Sequence, residues 1–432
     1  MKSQFRITID GRVAGNLEIN SAGKSRFDYC VDSSNDNYVT PLSLSMPRQV
    51  LSHPDGVVTS WFQRLYSRSS TKIDNALIRS TDTASSLRDW LLTTTNQDLL
   101  GSIEIAPQMS NSVTSPSTNS NGVVETRDIA RYLKMLDSQS EGLLDAQTIK
   151  EGKLPGNWGK LSLYVRGETF YLPSSKIPST HIIKPLFDAH GEEYLNQYLC
   201  LQAARNVGLL AVKTSARKLD GVLTFIHERY DRRVTVSDVQ RIHQEGVDQA
   251  LSLVSRNDTS QLEISGSMAT LALLERSMPS RYSRMDKERY VDYLIWHWIT
   301  AYTDARPHNY ALLLSGSQVR LGPLFDSRTS LVYSKRRKRI RFSSLIGGED
   351  KLFPSASPWQ RAAREFRMEA DYLLGRVKSL ALLAPDGFSD AVRGLADVGN
   401  GSNLPTKIVD EIATRSKWCL KLLDAHASDT SL

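Results

Sequence analysis

Apolar and polar residues alternate with a period of two through QFRITIDGRVAGNLEINSAGKSRFDYC, residues 4 to 30, and Asp10-Gly11 supplies a hairpin turn. Short strands are expected there, with YVTPLSLSMP, ending at Pro47, as a further edge or loop element. From about Thr59 to Leu100 the apolar spacing becomes three and four, which predicts helix. Pro107 to Asn121 is almost all Ser, Asn, Thr and Pro, and its few apolar groups cannot offset the entropy of ordering it, so a flexible loop is expected. A helix follows near Thr126 to Asp137. Past residue 150, LSLYVRGETFYLP reads as a hairpin, THIIKP as a short buried strand, and Asn196 to Val207 as a helix closed by Gly208. VKTSARKLDGVLTFIHERYDRR is a second hairpin, and after Ser237 the pattern is mainly helical through YVDYLIWHWITAYTD. One more strand pair, YALLLSG and QVRLGPLFD, precedes a helical region from about Pro358 to His426. The order predicts an α+β protein with a β-rich N-terminal unit, a mixed central unit and a helical C-terminal unit.

Composition narrows the class. At 432 residues with 40% hydrophobic and 23% charged side chains the chain is globular, long enough for two or three units, and not disordered. No apolar run reaches the roughly 18 residues of a membrane span, and no apolar signal core follows the N-terminus. Three distant cysteines, Cys30, Cys200 and Cys419, offer neither a disulfide framework nor a metal spacing. A cytoplasmic protein without a membrane partner is expected. The net charge of +7 leans mildly toward nucleic acid or acidic partners.

The chemistry concentrates in TDARPHNYALLLSGSQVRLGPLFDSR. Asp304 and Asn309 have the D-x-x-x-x-N spacing of a kinase catalytic loop, and a predicted hairpin folds a second carboxylate, Asp326, back toward them. Phosphoryl transfer needs this set: one carboxylate to orient the substrate hydroxyl, and an amide oxygen and a second carboxylate for the metal. Taken alone, Asp and Asn after a helix are more often caps or turn formers. Lys184 ends the apolar strand His181-Ile182-Ile183, as a nucleotide lysine would, or as an ordinary solvated strand end. Pro155-Gly156-Asn157-Trp158-Gly159-Lys160 is a glycine-bearing turn able to present N–H groups to phosphate, or simply a hairpin turn. Glu228-Arg229-Tyr230 closes a strand where a linker between two lobes would hold adenine. The N-to-C order of these features is that of a kinase.

The chain resembles the HipA toxin kinases of bacterial toxin–antitoxin pairs over nearly its whole length. The resemblance rests on IDGRVAGNLE, TPLSLSMP, THIIK, ERYDRR, RIHQEGVDQAL, TDARPHN, LFDSRTS and SLIGGED in the family's order; Arg241 to Leu251 is the most telling because generic kinases lack it. It implies a two-lobed, protein-kinase-like fold: an N-terminal subdomain over 1–106, a loop over 107–125, a nucleotide-binding core over 126–229 and a helical catalytic lobe over 230–432. It implies ATP and Mg²⁺ as cofactors, with Asp304 as catalytic base and Asn309 and Asp326 as metal ligands. Lys184 and Pro155 to Lys160 would hold the ATP phosphates, Glu228 to Tyr230 the adenine, and Arg306 and His308 would lie near the transferred phosphate. The implied activity is serine/threonine phosphorylation of a protein, such as an aminoacyl-tRNA synthetase, that arrests growth. The implied partners are a helix-turn-helix antitoxin of the HipB type and, through that complex, DNA.

Departures from the family pattern carry their own expectations. Lys153 stands where the family has an autophosphorylated serine, which puts that self-inactivation in doubt. Trp158 replaces an amide in the phosphate loop, Arg306 replaces a histidine, and Gln197 replaces a glutamate, for which Glu192 or Glu193 could substitute. A cationic run, Lys335, Arg336, Arg337, Lys338, Arg339 and Arg341, is either an acidic-partner or nucleic-acid patch or a solvated hairpin tip. A catalytically weakened regulatory module is therefore the alternative to an active kinase, and a small-molecule phosphotransferase is a third reading.

Overall fold

The computed structural model describes residues 3–30, 39–69, 83–93, 98–108, 122–138, 160–174, 177–186, 191–236, 238–253, 259–333, 340–354, 357–395 and 401–429. Two compact units emerge: Met1–Ala189, Lys218–Val254 and Leu312–Val319 form one, and His190–Arg217, Ser255–Ala311 and Arg320–Leu432 form the other. Each unit is built from separate stretches, and the chain crosses between the two several times. The Ser/Asn-rich stretch 109–121 lies outside the described residues.

The first unit begins with β1 (Ser3–Ile9), β2 (Arg12–Ile19), β3 (Ser25–Tyr29), β4 (Ser52–His53) and β5 (Ile103–Pro107), in the sheet order β4-β3-β2-β1-β5. Asp10 and Gly11 both take positive φ, 52° and 74°, the geometry a two-residue hairpin turn needs to match strand twist. The helices α1 (Asp55–Ser69) and α2 (Thr83–Thr93) share a core with this sheet that includes Phe5, Leu17, Phe27, Trp61 and Trp90. A second sheet runs β10-β11-β9-β7-β8-β6, built from β6 (Val123–Val124), β7 (Leu161–Arg166), β8 (Thr169–Tyr171), β9 (His181–Pro185), β10 (Thr214–Leu219) and β11 (Val222–Glu228). The helix α3 (Thr126–Ser138) contributes Ile129 and Leu133 to its core.

The expectation of helix after Ser237 is corrected at its start. Arg232–Val234 (β12) pairs with Val239–Arg241 (β13), and His243–Gly246 (β14) follows, before a single helical turn at Val247–Ala250. Polar residues of Arg241 to Gln249 find buried partners: His243 bonds Leu42 O, Gln244 donates to Asp231, and Glu245 accepts from Ser43 Oγ at 2.5 Å, Leu44 N at 2.9 Å and Trp61 Nε1 at 3.1 Å. Asp248 pairs with Arg64, and Gln249 donates to Trp61 O. The motif RIHQEGVDQAL is therefore the brace for the TPLSLSMP loop and α1.

The second unit is mainly helical: α4 (Gly191–Asn206), α5 (Thr259–Ser277), α6 (Ser280–Thr300), α7 (Trp359–Phe366), α8 (Ala370–Arg393) and α9 (Leu404–Asp429). Tyr290, Tyr293, Trp296 and Trp298 of α6 are all fully buried, which marks it as the core helix. The hairpin of β15 (Ala311–Ser315) and β16 (Gln318–Leu321), of which Leu312–Val319 belongs to the first unit, matches the predicted strand pair. An unforeseen pair, β17 (Arg341–Ile346) and β18 (Glu349–Lys351), turns at Gly347-Gly348. Gly347 has φ +54°, and a Cβ there would lie 2.2 Å from Pro358 O, so only glycine fits this turn of the SLIGGED motif.

Candidate active site

The helix α6 ends at Ala301, whose φ of 54° is left-handed and reverses the chain; the Tyr302 N–H then donates to His297 O at 2.9 Å. This reversal delivers Tyr302 to Asn309 as a loop rather than as more helix, with a 3₁₀ turn at Pro307–Asn309. Neighbouring backbone and hydroxyls hold it: Ser344 Oγ donates to Ala305 O at 2.5 Å, and the Ser343 N–H donates to Thr303 O at 3.2 Å. The strand leading to Asp326 is fixed separately. Leu324 N–H donates to Leu210 O at 2.9 Å, and Val212 N–H donates to Leu324 O at 2.9 Å. Buried Asp286 of α6 accepts from Arg320 Nε at 2.9 Å and Leu321 N at 2.8 Å, tying the end of β16 to the core helix.

These supports bring Asp304, Asn309 and Asp326 into one hydrogen-bonded network. Asn309 Nδ2 donates to Asp304 O at 2.5 Å and to Tyr302 Oη at 3.0 Å; Tyr302 Oη in turn donates to Asp326 Oδ2 at 2.9 Å. Gln197 Nε2 donates to Asp326 Oδ1, and Arg328 Nη2 reaches Asp326 Oδ2 at 3.3 Å. Arg328 also pairs with Glu193 at 3.0 Å. Asn196, beside Gln197 on α4, clamps Thr329 through its backbone, donating to the carbonyl and accepting from the N–H at 2.9 Å each. The loop from Asp326 to Thr329 is thus gripped by one face of α4, with Gln197 acting as donor where a glutamate would repel Asp326.

Arg306 and His308 bracket Asp304. Arg306 Nε lies 2.6 Å from Oδ1 and His308 Nε2 3.8 Å from Oδ2. Partial burial works to raise the Asp304 pKa, but His308 and Arg306 outweigh it and hold the carboxyl below its ordinary value. Asp304 is therefore ionised at neutral pH while a third of its side chain remains exposed, at 33%.

Apart from Arg341, the remaining predicted residues lie in the first unit or outside the described residues. Lys184 sits on β9 opposite Phe225 of β11, and Lys160 immediately precedes β7. His227, fully enclosed on β11, is pushed well below its usual pKa by burial first and then by the charges of Lys184 and Lys160. Both lysines thus bear on the same imidazole. Glu228 ends β11 opposite His181, and Tyr230 Oη donates to Gln244 at 2.6 Å. The Arg229 N–H donates to Thr180 O, and its side chain is buried against Asp98 and Asp231. Pro155 to Gly159 and Lys335 to Arg339 fall outside the described residues; Arg341 opens β17 and lies 3.5 Å from Asp350. Sequence reasoning did not single out Tyr302 or Arg328. Tyr302 stands two residues before Asp304 and Arg328 two after Asp326, so proximity was their only signal.

The family of HipA-like C-terminal domains matches residues 152–385, more than half of the chain, and the protein belongs to that family of kinases. A relative from Sinorhizobium fredii, named "Putative kinase Y4mE", is 23% identical over 411 residues, covering 94% of this chain and 96% of its own. The fold is also similar to a chain of the Shewanella oneidensis HipA, HipB and operator DNA complex, at a TM-score of 0.78 and 15% identity over 98% of both chains. The mixed α+β, HipA-like fold expected from the sequence is the one observed. Among the described residues no helix is long and apolar enough to cross a membrane.

Proposed function

We propose that the protein is an ATP- and Mg²⁺-dependent serine/threonine kinase acting as a HipA-type toxin. The observation that carries this is the Asp304–Asn309–Tyr302–Asp326 network, in which the Asn309 amide is bonded to the main-chain oxygen of Asp304 and, through Tyr302, to the Asp326 carboxylate, beside an Asp304 carboxyl held below its ordinary pKa. Mg²⁺ takes oxygen donors and is commonly bound through one or two carboxylates plus phosphates and waters. Asn309 fits that need, because its Nδ2 is committed to Asp304 O and Tyr302 Oη, leaving Oδ1 on the opposite side of the amide. Asp326 and Asn309 would hold the ion, which would supply charge neutralisation for the phosphate when bound. Asp304 orients the substrate hydroxyl and accepts its proton, with Arg306 and His308 keeping the base ionised until then. Lys184 and Pro155 to Lys160 hold the ATP phosphates, and the chain at Glu228 to Tyr230 borders the adenine.

The substrate is a protein hydroxyl in a translation component such as an aminoacyl-tRNA synthetase. A helix-turn-helix antitoxin restrains the toxin and links it to operator DNA, a reading supported by the similarity to the Shewanella assembly. Asp304→Gln and Asp326→Gln test the mechanism. Each is expected to lower phosphate transfer from ATP by at least about 10²–10³-fold, as when a transition-state electrostatic contact is removed, and to abolish growth arrest. Retained transfer and toxicity in both variants would sink the kinase reading. Phosphoproteomics of cells expressing wild type against Asp304→Gln identifies the substrate.

A further inference from the structure

Tyr302 occupies the centre of the site without belonging to the set that kinase spacing predicts. Its ring is buried, 3% exposed, with the His297 ring 4.8 Å and the Arg328 guanidinium 5.8 Å from its centroid. A phenol carries one proton, and an ionised carboxylate can only accept. The Tyr302 proton therefore goes to Asp326 Oδ2, and the oxygen must accept from Asn309 Nδ2. That order has a consequence for both neighbours. Turning the Asn309 amide over would set its oxygen against two groups that offer no proton, Asp304 O and the Tyr302 lone pair. At Asp326, Gln197, Tyr302 and Arg328 take three of the roughly four acceptor positions of a carboxylate. About one position is left, enough for a single-point bond to a cation.

We propose that Tyr302 is a positioning residue that locks the Asn309 amide oxygen and one remaining position of Asp326 toward a common divalent cation. The proposal rests on the kinase reading. Phenylalanine would preserve the ring and its contacts while leaving Asn309 Nδ2 and Asp326 Oδ2 one partner short each.

The test is calorimetry of full-length wild type and Tyr302→Phe with ADP, titrated across Mg²⁺ concentrations, alongside thermal melts and steady-state kinetics. The expected result is metal-free ADP affinity equal to wild type, with the gain in affinity conferred by Mg²⁺ reduced about tenfold or more, the scale of one lost hydrogen bond to a charged group. Raising Mg²⁺ should restore kcat in Tyr302→Phe, which a merely structural hydroxyl would not allow. A lower melting temperature with an unchanged Mg²⁺ dependence overturns the positioning role. Loss of ADP affinity equally with and without Mg²⁺ overturns it as well. Absence of any Mg²⁺ effect in wild type overturns the kinase reading itself, a result distinguishable from the other two.

Discussion

Two polar clusters, one in each unit, look alike in composition and differ in what is left over. In the first unit, Asp231 accepts from Arg229 at 2.9 and 2.7 Å, from Gly101 N at 2.8 Å and from Gln244 at 2.9 Å, with Arg232 at 3.0 Å. Asp98 accepts from Arg232 at 2.8 Å and from Ser179 Oγ at 2.5 Å. All four charged side chains are nearly or wholly buried, and their charges balance. Burial by itself would raise the carboxyl pKa values, yet the arginines outweigh it and hold both below normal. In the second unit the network around Asp326 and Asp304 is partly open to solvent, and the amide oxygen of Asn309 is turned away from its hydrogen-bonded neighbours. A cluster whose carboxylates are fully met by buried arginines holds a fold together; one with acceptor positions to spare is suited to binding a ligand.

Exchanging the damage between the two clusters sharpens this contrast. Asp326→Gln should abolish transfer while moving the melting temperature little. Asp231→Ala strands two buried arginines and should cost about 3–5 kcal/mol of stability, measured by urea unfolding, with activity lost only as the fold is lost. A small stability loss at Asp231 would break the distinction.

The next effect is pH-dependent and confined to the first unit. Burial pushes Glu245 from 4.5 up to about 7, against its bonds to Leu44, Ser43 and Trp61. The folded state therefore binds this proton more tightly than the unfolded chain. Its contribution to stability is complete below about pH 4.5 and disappears as the pH rises through 7, a change on the order of 3 kcal/mol. Glu245→Gln should flatten that part of the stability profile measured by denaturant titration at successive pH values. A wild-type profile already flat between pH 5 and 8 would remove the cause.

The smallest expected change is at Gln197. Gln197→Glu places a carboxylate against Asp326 and should reduce kcat about tenfold, the scale of one hydrogen bond exchanged for repulsion, with less effect on stability. Unchanged kcat would mean that the α4 contact does not set the position of Asp326.

Asp304, Asn309 and Asp326 were legible because their spacing is local: two lie on one loop, and a hairpin returns the third. The strands flanking Asp10-Gly11 and the helices from 359 onward were legible from periodicity. β13 and β14 were not, since Arg241 to Gln249 is polar and is ordered by partners such as Ser43 and Trp61, some 200 residues earlier. The double-glycine turn between β17 and β18 was hidden for a related reason: its need for glycine comes from Pro358 O, which periodicity does not register. The side chain of Arg229 is held by Asp98, 131 residues away, a contact that its place after a strand does not register.

The amino-acid sequence alone determined the α+β class, the family likeness, and which residue types could carry phosphoryl transfer, because these depend on short-range pattern and on chemistry intrinsic to the side chains. Only the tertiary structure decided that Gln197 and Tyr302 hold Asp326, that the RIHQEGVDQAL motif is a brace, and that one charge cluster is closed while the other is not. Hydrogen-bond saturation and burial are properties of residues brought together from distant parts of the chain, and no local pattern encodes them.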